Sequence, residues 1–152
     1  MAIKTTTGLA AYLMVTGSGK SAFDGGSLKV FSGTPPASAD LAETGDLVWE
    51  IKRDDGVGGV EGLVFSATAN GRAMEKPSAD TWGGATVAGT AGYFRLVQDT
   101  DDGLEDDDQL RVQGTVGSTG AEDFYMSNTV LTTDTDVLAK TIAAFSVALP
   151  TN

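Results

Sequence analysis

The fold is decided by residues 26–51, which read GSLKVFSGTPPASADLAETGDLVWEI. Residues 27–32 alternate and include β-branched and aromatic side chains, a pattern that predicts a strand. The prolines at positions 35 and 36 end this strand, because they supply no backbone donors and force an extended, turning path. After a polar connector, residues 47–51 predict a second strand. Its alternation places three apolar side chains on one face, as expected for a β-protein: Leu47, Trp49 and Ile51.

Strand-sized runs continue through the rest of the chain. They recur about every ten residues with turn signals between them, and this spacing is typical of a β-sandwich or a jelly roll. The runs comprise residues 63–69, 72–76, 85–99, 109–116, 123–131 and 142–149. Asn70-Gly71 predicts a tight turn between the first two runs, and residues 137–143 are also compatible with a turn of helix. We expect an all-β fold, a β-sandwich or jelly-roll-like domain with a short N-terminal helix or arm.

One helix is predicted near the N-terminus, over residues 3–16. Thr6 or Thr7 would cap its first turn, and Gly17 would end it. A helix this short needs packing against another element to be stable. The following residues, 18–26, are predicted to form a glycine-rich loop.

The length of the chain predicts its domain organisation. With 152 residues, the chain is long enough for one hydrophobic core and short for two. We therefore expect a single β-sandwich domain over residues 26–152. Residues 1–25 are expected to form a separate arm, made of the helix and a glycine-rich linker.

The charge and hydropathy of the chain exclude several kinds of partner. The formal net charge is −11 with only ten Lys and Arg residues, whereas phosphate binding needs clustered basic side chains. No segment approaches the about 20 apolar residues that a membrane-spanning helix requires. Residues 8–15 have the length of a signal-peptide core but lack its flanking residues. We expect no nucleic-acid partner, no membrane partner, and synthesis in the cytoplasm without secretion.

The chain contains neither cysteine nor histidine. The first absence excludes disulfides and thiolate metal sites, and the second removes the commonest general base and transition-metal ligand. Hydroxyl groups such as those of Ser66 and Ser118 have no histidine to activate them. Residues 16–21, TGSGKS, are similar to the end of a phosphate-binding loop, but Met14 stands where that motif requires glycine. We expect no catalytic residue, no enzyme activity and no cofactor.

Residues 99–108, DTDDGLEDDD, are the one stretch in which calcium could bind. Hard cations prefer several oxygen ligands at once. The candidate ligands are Asp101, Asp102, Asp106 and Asp108. The spacing fails the EF-hand register, and clustered carboxylates in a loop are usually a solvated hairpin tip. The sequence favours the solvated tip and leaves a calcium site as the alternative.

Aromatic residues offer a second alternative, a sugar-binding platform. The candidates for it are Trp49, Trp82, Tyr93, Phe94 and Tyr125. Trp49 and Phe94, however, alternate along their predicted strands as core residues do. Core packing is therefore the favoured interpretation.

Three segments follow one another through the predicted β-domain. The first is GSLKVFSGTPPASAD, residues 26–40, followed by Thr44-Gly45; the second is AGTAGYFR, residues 88–95; the third is QGTVGSTGAEDF, residues 113–124. As an ordered set they resemble a family of small structural proteins encoded among the virion genes of tailed bacteriophages. The resemblance implies an all-β component of a virion, which works by packing and interface formation.

On this resemblance we expect a capsid decoration (cement) protein on the outer surface of the virion. It would be made in the host cytoplasm, bridge subunits of the major capsid protein and associate with itself, as a trimer. The N-terminal arm would supply the docking surface, through Leu9, Tyr12, Leu13 and Phe23. The alternative is a tail, baseplate or collar component of the same particle. A second alternative, from another class, is a carbohydrate- or calcium-binding β-sandwich module.

Overall fold

The structure, a computed structural model, describes residues 3–54, 60–68 and 73–148. Two short helices lie near the N-terminus: α1, Thr7–Val15, and α2, Gly19–Phe23. The strands are β1, Lys4–Thr5; β2, Ser27–Ser32; β3, Leu47–Asp54; β4, Val60–Glu61; β5, Ala73–Glu75; β6, Thr81–Gly84; β7, Gly89–Val97; β8, Arg111–Gly117; β9, Phe124–Tyr125; β10, Val130–Leu131; β11, Lys140–Ile142; and β12, Ser146–Ala148. Strands dominate the regular structure, so the predicted all-β, sandwich-like fold is confirmed.

A large sheet carries most of these strands, in the order β1-β8-β7-β2-β3-β6-β11. β10 also pairs with β7, β4 with β3, and β9 with β8, while β12 and β5 pair separately. Every pair is antiparallel except β8 with β9. β3 pairs with β2 through residues 47–51 and with β6 through residues 52–54. This one strand therefore joins the two halves of the sheet.

One face of the sheet carries the apolar core. Leu28 and Val30 of β2 lie beside Leu96 and Phe94 of β7, and all four are at most 1% exposed. Aromatic side chains fill the space beyond them, with ring-centroid distances of 5.1 to 6.5 Å, among them Phe65, Trp82, Phe94, Phe124 and Phe145. Burial of these large rings adds to the apolar contribution to the stability of the fold.

The opposite face of the same strands carries a row of polar side chains. The register aligns Lys29 of β2, Arg95 of β7 and Gln113 of β8 in one row across the sheet. Arg95 and Gln113 are nevertheless buried, at 0% and 1% exposure. The loop between β2 and β3 covers them, so this loop forms a second layer over the sheet.

The N-terminal segment belongs to the core. Thr6 caps α1 as predicted, with its side chain accepting a hydrogen bond from Leu9 N. Residues 19–23, predicted as loop, instead form α2, because Ser18 and Ser21 make a reciprocal capping box. Leu9 and Phe23 are each 1% exposed and lie in the same core cluster as the strands. Leu9 and Phe23 thus connect the N-terminal segment to the core of the β-domain.

The central strands match their predictions closely, and β2 has the predicted bounds. β3 begins as predicted at Leu47 and continues to Asp54. The pairing of β2 with β3 has a register shift between Val30 and Phe31, and the predicted alternation of β3 fails at its start. Leu47 is 40% exposed, whereas Val48 and Trp49 are both buried. A bulge of this kind puts neighbouring residues on faces that a strict period of two does not allow.

Predictions were less accurate at the periphery. Residues 63–68 form no strand, although Leu63 and Phe65 are buried as a strand pattern would require. Asn70-Gly71 lies outside the described residues. The predicted strand 123–131 is divided into β9 and β10, and the predicted strand 142–149 into the end of β11 and β12. Residues 137–143 are not helical.

Within the described residues, neither helix is long and apolar enough to cross a membrane.

Candidate functional site

Side chains from β1, β7 and β8 hold the loop between β2 and β3 by its backbone carbonyls. Each of four donors bonds a different carbonyl: Gln113 Nε2 to Pro36 O at 2.9 Å, Lys4 Nζ to Ala37 O at 2.8 Å, Arg111 Nη1 to Ala39 O at 3.3 Å and Arg95 Nη2 to Leu41 O at 2.8 Å. We call this set the loop clasp. Since prolines and small residues give the loop little apolar area to bury, the clasp supplies the contacts that fix it.

The far end of the loop is fixed by Tyr93. Its hydroxyl donates to Thr44 O at 2.6 Å and accepts from Thr44 N at 2.9 Å. The ring of Tyr93 stacks on Phe31, with 5.0 Å between centroids. The loop is therefore held at both ends and presents a fixed surface.

A buried ion pair links the loop clasp to the acidic stretch 99–108. Arg111 Nε donates to Asp101 Oδ2 at 2.5 Å, and both side chains have 0% exposure. Arg111 Nη2 also donates to Leu104 O at 2.8 Å. The nearby Arg95 has an Nη1 group without a hydrogen-bond partner among the described residues, and burial lowers the pKa of its guanidinium.

The four predicted calcium ligands do not come together. Asp101 forms a buried ion pair with Arg111. Asp102 accepts a hydrogen bond from Leu104 N at 3.0 Å. Asp106 and Asp108, together with Asp107, do place carboxylate oxygens within 4.8 Å of one another. Asp106 already accepts a hydrogen bond from Asp108 N at 2.8 Å, as in a solvated turn. Asp101 instead supplies the counter-charge that the buried guanidinium of Arg111 requires.

Four of the five aromatic residues that the sequence offered as a sugar platform are core residues. Trp49, Trp82, Tyr93 and Phe94 are at most 1% exposed. Tyr125, at 59%, is exposed. A single exposed ring does not make a platform, so the structure favours the core-packing interpretation.

The structure divides the predicted docking residues into two groups. Leu9 and Phe23 are buried inside the chain, whereas Tyr12 and Leu13 are half-buried. The next two residues of α1, Met14 and Val15, are 82% and 87% exposed. Sequence reasoning missed these two; the signal was the absence of any charged residue in α1, TGLAAYLMV, which leaves apolar side chains on every face.

An apolar groove of about 280 Å³ lies beside β3 and β6. Four of the eleven exposed large hydrophobic residues of the described chain line it: Leu47, Val60, Val87 and Val137. Its wall also contains Lys52 and Glu50, whose Nζ and Oε1 atoms are 3.5 Å apart. The groove is thus apolar with a balanced pair of charges, and its residues come from four separate segments of the chain.

Comparison of the chain with family models, with curated proteins and with solved structures finds no match. The resemblance to bacteriophage structural proteins therefore stays a prediction from the three sequence segments.

Proposed function

We propose that the protein is a structural component of a bacteriophage virion, a decoration protein that binds the outer capsid surface and bridges major capsid subunits. The observation that carries the proposal is the apolar groove. Exposed apolar residues are normal when scattered singly, but several that line one concave surface are typical of a protein–protein interface.

The positions of the resembling segments support the proposal. Residues 26–40 contain β2 and the first part of the clasped loop, residues 88–95 run into β7, and residues 113–124 run from β8 to the start of β9. β2, β7 and β8 are neighbours in the sheet. The resemblance therefore concerns one contiguous unit of the fold rather than unrelated fragments.

The loop clasp gives this role a physical mechanism. A loop that is fixed before binding loses little conformational entropy on association, so more of the interface energy stabilises the assembly. Each apolar Å² removed from water contributes about 25 cal/mol. Many copies would bind one shell. The free energy of their interfaces would add up, and it would help the shell to withstand the internal pressure of packaged DNA even if each interface were small.

The other candidate functions receive less support. A tail, baseplate or collar component would need the same kind of surface, and only its location distinguishes it. A carbohydrate-binding module would need exposed aromatic rings, whereas both tryptophans are buried. A calcium-binding module would need the acidic stretch to converge, whereas its predicted ligand Asp101 pairs with Arg111.

The test is to compare particles with and without the protein. Particles from a phage that lacks the gene should release DNA at a lower temperature, and adding the purified protein should restore the wild-type release temperature. An unchanged release temperature in both experiments would contradict a decoration role. Adding back an unrelated protein of similar size and charge controls for nonspecific stabilisation.

A further inference from the structure

Arg95 is a buried cation that has no anionic partner of its own. The residue is 0% exposed. Its Nε donates to Gln113 Oε1 at 2.9 Å and its Nη2 to Leu41 O at 2.8 Å, and both acceptors are uncharged. Within the described residues, no carboxylate oxygen lies within 4.0 Å of the guanidinium, and Nη1 has no hydrogen-bond partner. Because an arginine side chain stays protonated in proteins, a full positive charge is buried here.

The two carboxylates that act electrostatically on Arg95 each belong to another ion pair. Glu43 pairs with Lys29, with 3.3 Å between Oε1 and Nζ. Asp101 pairs with Arg111, to which it gives both of its carboxylate oxygens. In this group of side chains, three positive charges therefore meet two negative ones. One positive charge is left over.

A second guanidinium lies beside Arg95 on the same face of the sheet. The register places Arg95 opposite Gln113, two residues along β8 from Arg111, so the two long side chains can reach each other. Their head groups hold loop carbonyls two residues apart, Leu41 O and Ala39 O. Arg111 Nη1 carries two N–H groups but donates to one acceptor, Ala39 O at 3.3 Å, among the residues that the structure describes. Both guanidiniums thus have N–H donors for one further acceptor.

We propose that Arg95 and Arg111 together bind one small monovalent anion, of the size of chloride, beneath the loop between β2 and β3. An arginine cannot lose its proton to avoid the cost of burial, so a counter-ion must come from solution where the chain supplies none. A water molecule would accept the same hydrogen bonds but would leave the buried charge without compensation. One monovalent anion matches the one surplus positive charge.

The bound anion is part of the loop clasp, because both of its arginines hold carbonyls of that loop. The repulsion between the two guanidiniums falls when an anion lies between them. Anion binding therefore stabilises the loop and the folded chain. This inference goes beyond the proposed function and does not depend on it, since the site lies inside a single copy of the chain.

Urea unfolding of the full chain tests the site, with sodium chloride replacing sodium gluconate at constant ionic strength so that screening stays the same. A ligand that binds only the folded chain stabilises it by mass action. Once the site is saturated, a tenfold rise in chloride should therefore lower the unfolding equilibrium constant about tenfold. Sodium bromide should act in the same way. An unfolding constant that responds to neither halide would overturn the inference.

Two substitutions that remove the same charge show whether the halide acts at Arg95. Arg95→Gln removes the guanidinium of the site and should abolish the dependence on halide. Arg53→Gln is the control, because Arg53 lies outside the loop clasp and its Nε donates to Asp80 Oδ2 at 2.8 Å. This variant should respond to halide as the wild type does. A halide dependence that survives in Arg95→Gln would contradict the proposed site.

A crystal structure of the wild type grown with sodium bromide gives an answer even where Arg95→Gln does not fold. We expect one anomalous bromide peak in hydrogen-bond contact with the Nη1 atoms of Arg95 and Arg111. A water molecule at that position, or no bromide beside an ordered Arg95, would overturn the inference. These outcomes leave the capsid role untouched, because that role is tested by DNA release from particles.

Discussion

Asp101 and Arg111 form an ion pair in which both side chains are fully buried. Arg111 contacts the acidic stretch, the loop between β2 and β3 and, through its backbone N–H, the Thr6 hydroxyl. Removing one member of a buried ion pair leaves the other charge without compensation. The loop clasp therefore depends on Asp101, although that residue lies outside the loop it helps to fix.

Asp101→Asn should lower the free energy of unfolding by about 3 kcal/mol or more, measured by urea denaturation. Asp102→Asn is the matched control, because Asp102 is 4.0 Å from the same arginine but its side chain is 59% exposed. An exposed pair of this kind contributes about 0 to 1 kcal/mol. Equal losses for the two substitutions would contradict the role of the buried pair.

Glu122 provides a prediction about pH. The hydroxyl of Thr119 donates to its carboxylate oxygens at 3.0 Å, and this hydrogen bond lowers the pKa of Glu122. A carboxyl group whose pKa is lower in the folded than in the unfolded chain stabilises the fold above the unfolded pKa, and this contribution is lost as the pH falls through the folded pKa.

Thr119→Val removes the donor, so the pKa of Glu122 should rise toward its ordinary value in an NMR titration. Ser118→Ala, at the neighbouring hydroxyl, serves as the control and should leave this pKa unchanged. A Glu122 pKa that is the same in the wild type and in Thr119→Val would show that another group stabilises the carboxylate.

At the scale of elements, Thr6 connects α1 to β8. Its hydroxyl donates to Gln109 O at 2.6 Å and accepts from Leu9 N and Arg111 N at 3.2 and 3.1 Å. Thr6→Val should reduce the free energy of unfolding by about 2 to 3 kcal/mol, because a helix cap is lost and buried backbone groups are left unpaired. Thr6→Ser keeps the hydroxyl and should cost less than about 1 kcal/mol by the same measurement. A loss for Thr6→Ser as large as that for Thr6→Val, or larger, would contradict the role of the hydroxyl.

The elements that the sequence predicts well are those whose pattern is local. β2 has its predicted bounds because strand-forming residues and two prolines define them, and Thr6 caps α1 because a threonine stands before an apolar run. Leu63 and Phe65 were predicted in a strand from their alternation, yet they are buried without one. Periodicity identified which side chains are buried there, but the backbone conformation depends on contacts with the rest of the chain.

The candidate sites were harder to predict because they are assembled from distant segments. The loop clasp joins residues separated by 33 to 77 positions, and the groove combines β3, β6 and Val137. The sequence could identify the uncharged α1 but not that Leu9 is buried while Met14 is exposed, since that depends on how the helix packs. Net charge, in contrast, is independent of the fold, so the expectation that nucleic acid is not a partner rests on the sequence alone.

At the scale of the whole molecule, we propose that this acidic β-domain coats a capsid. Cryo-electron microscopy of purified particles, with the structure fitted to the density and the copies counted on head and tail, tests that claim most directly. We expect many symmetry-related copies on the outer shell, each contacting more than one major capsid subunit. A few copies at the neck or tail, or none on the particle, would contradict it.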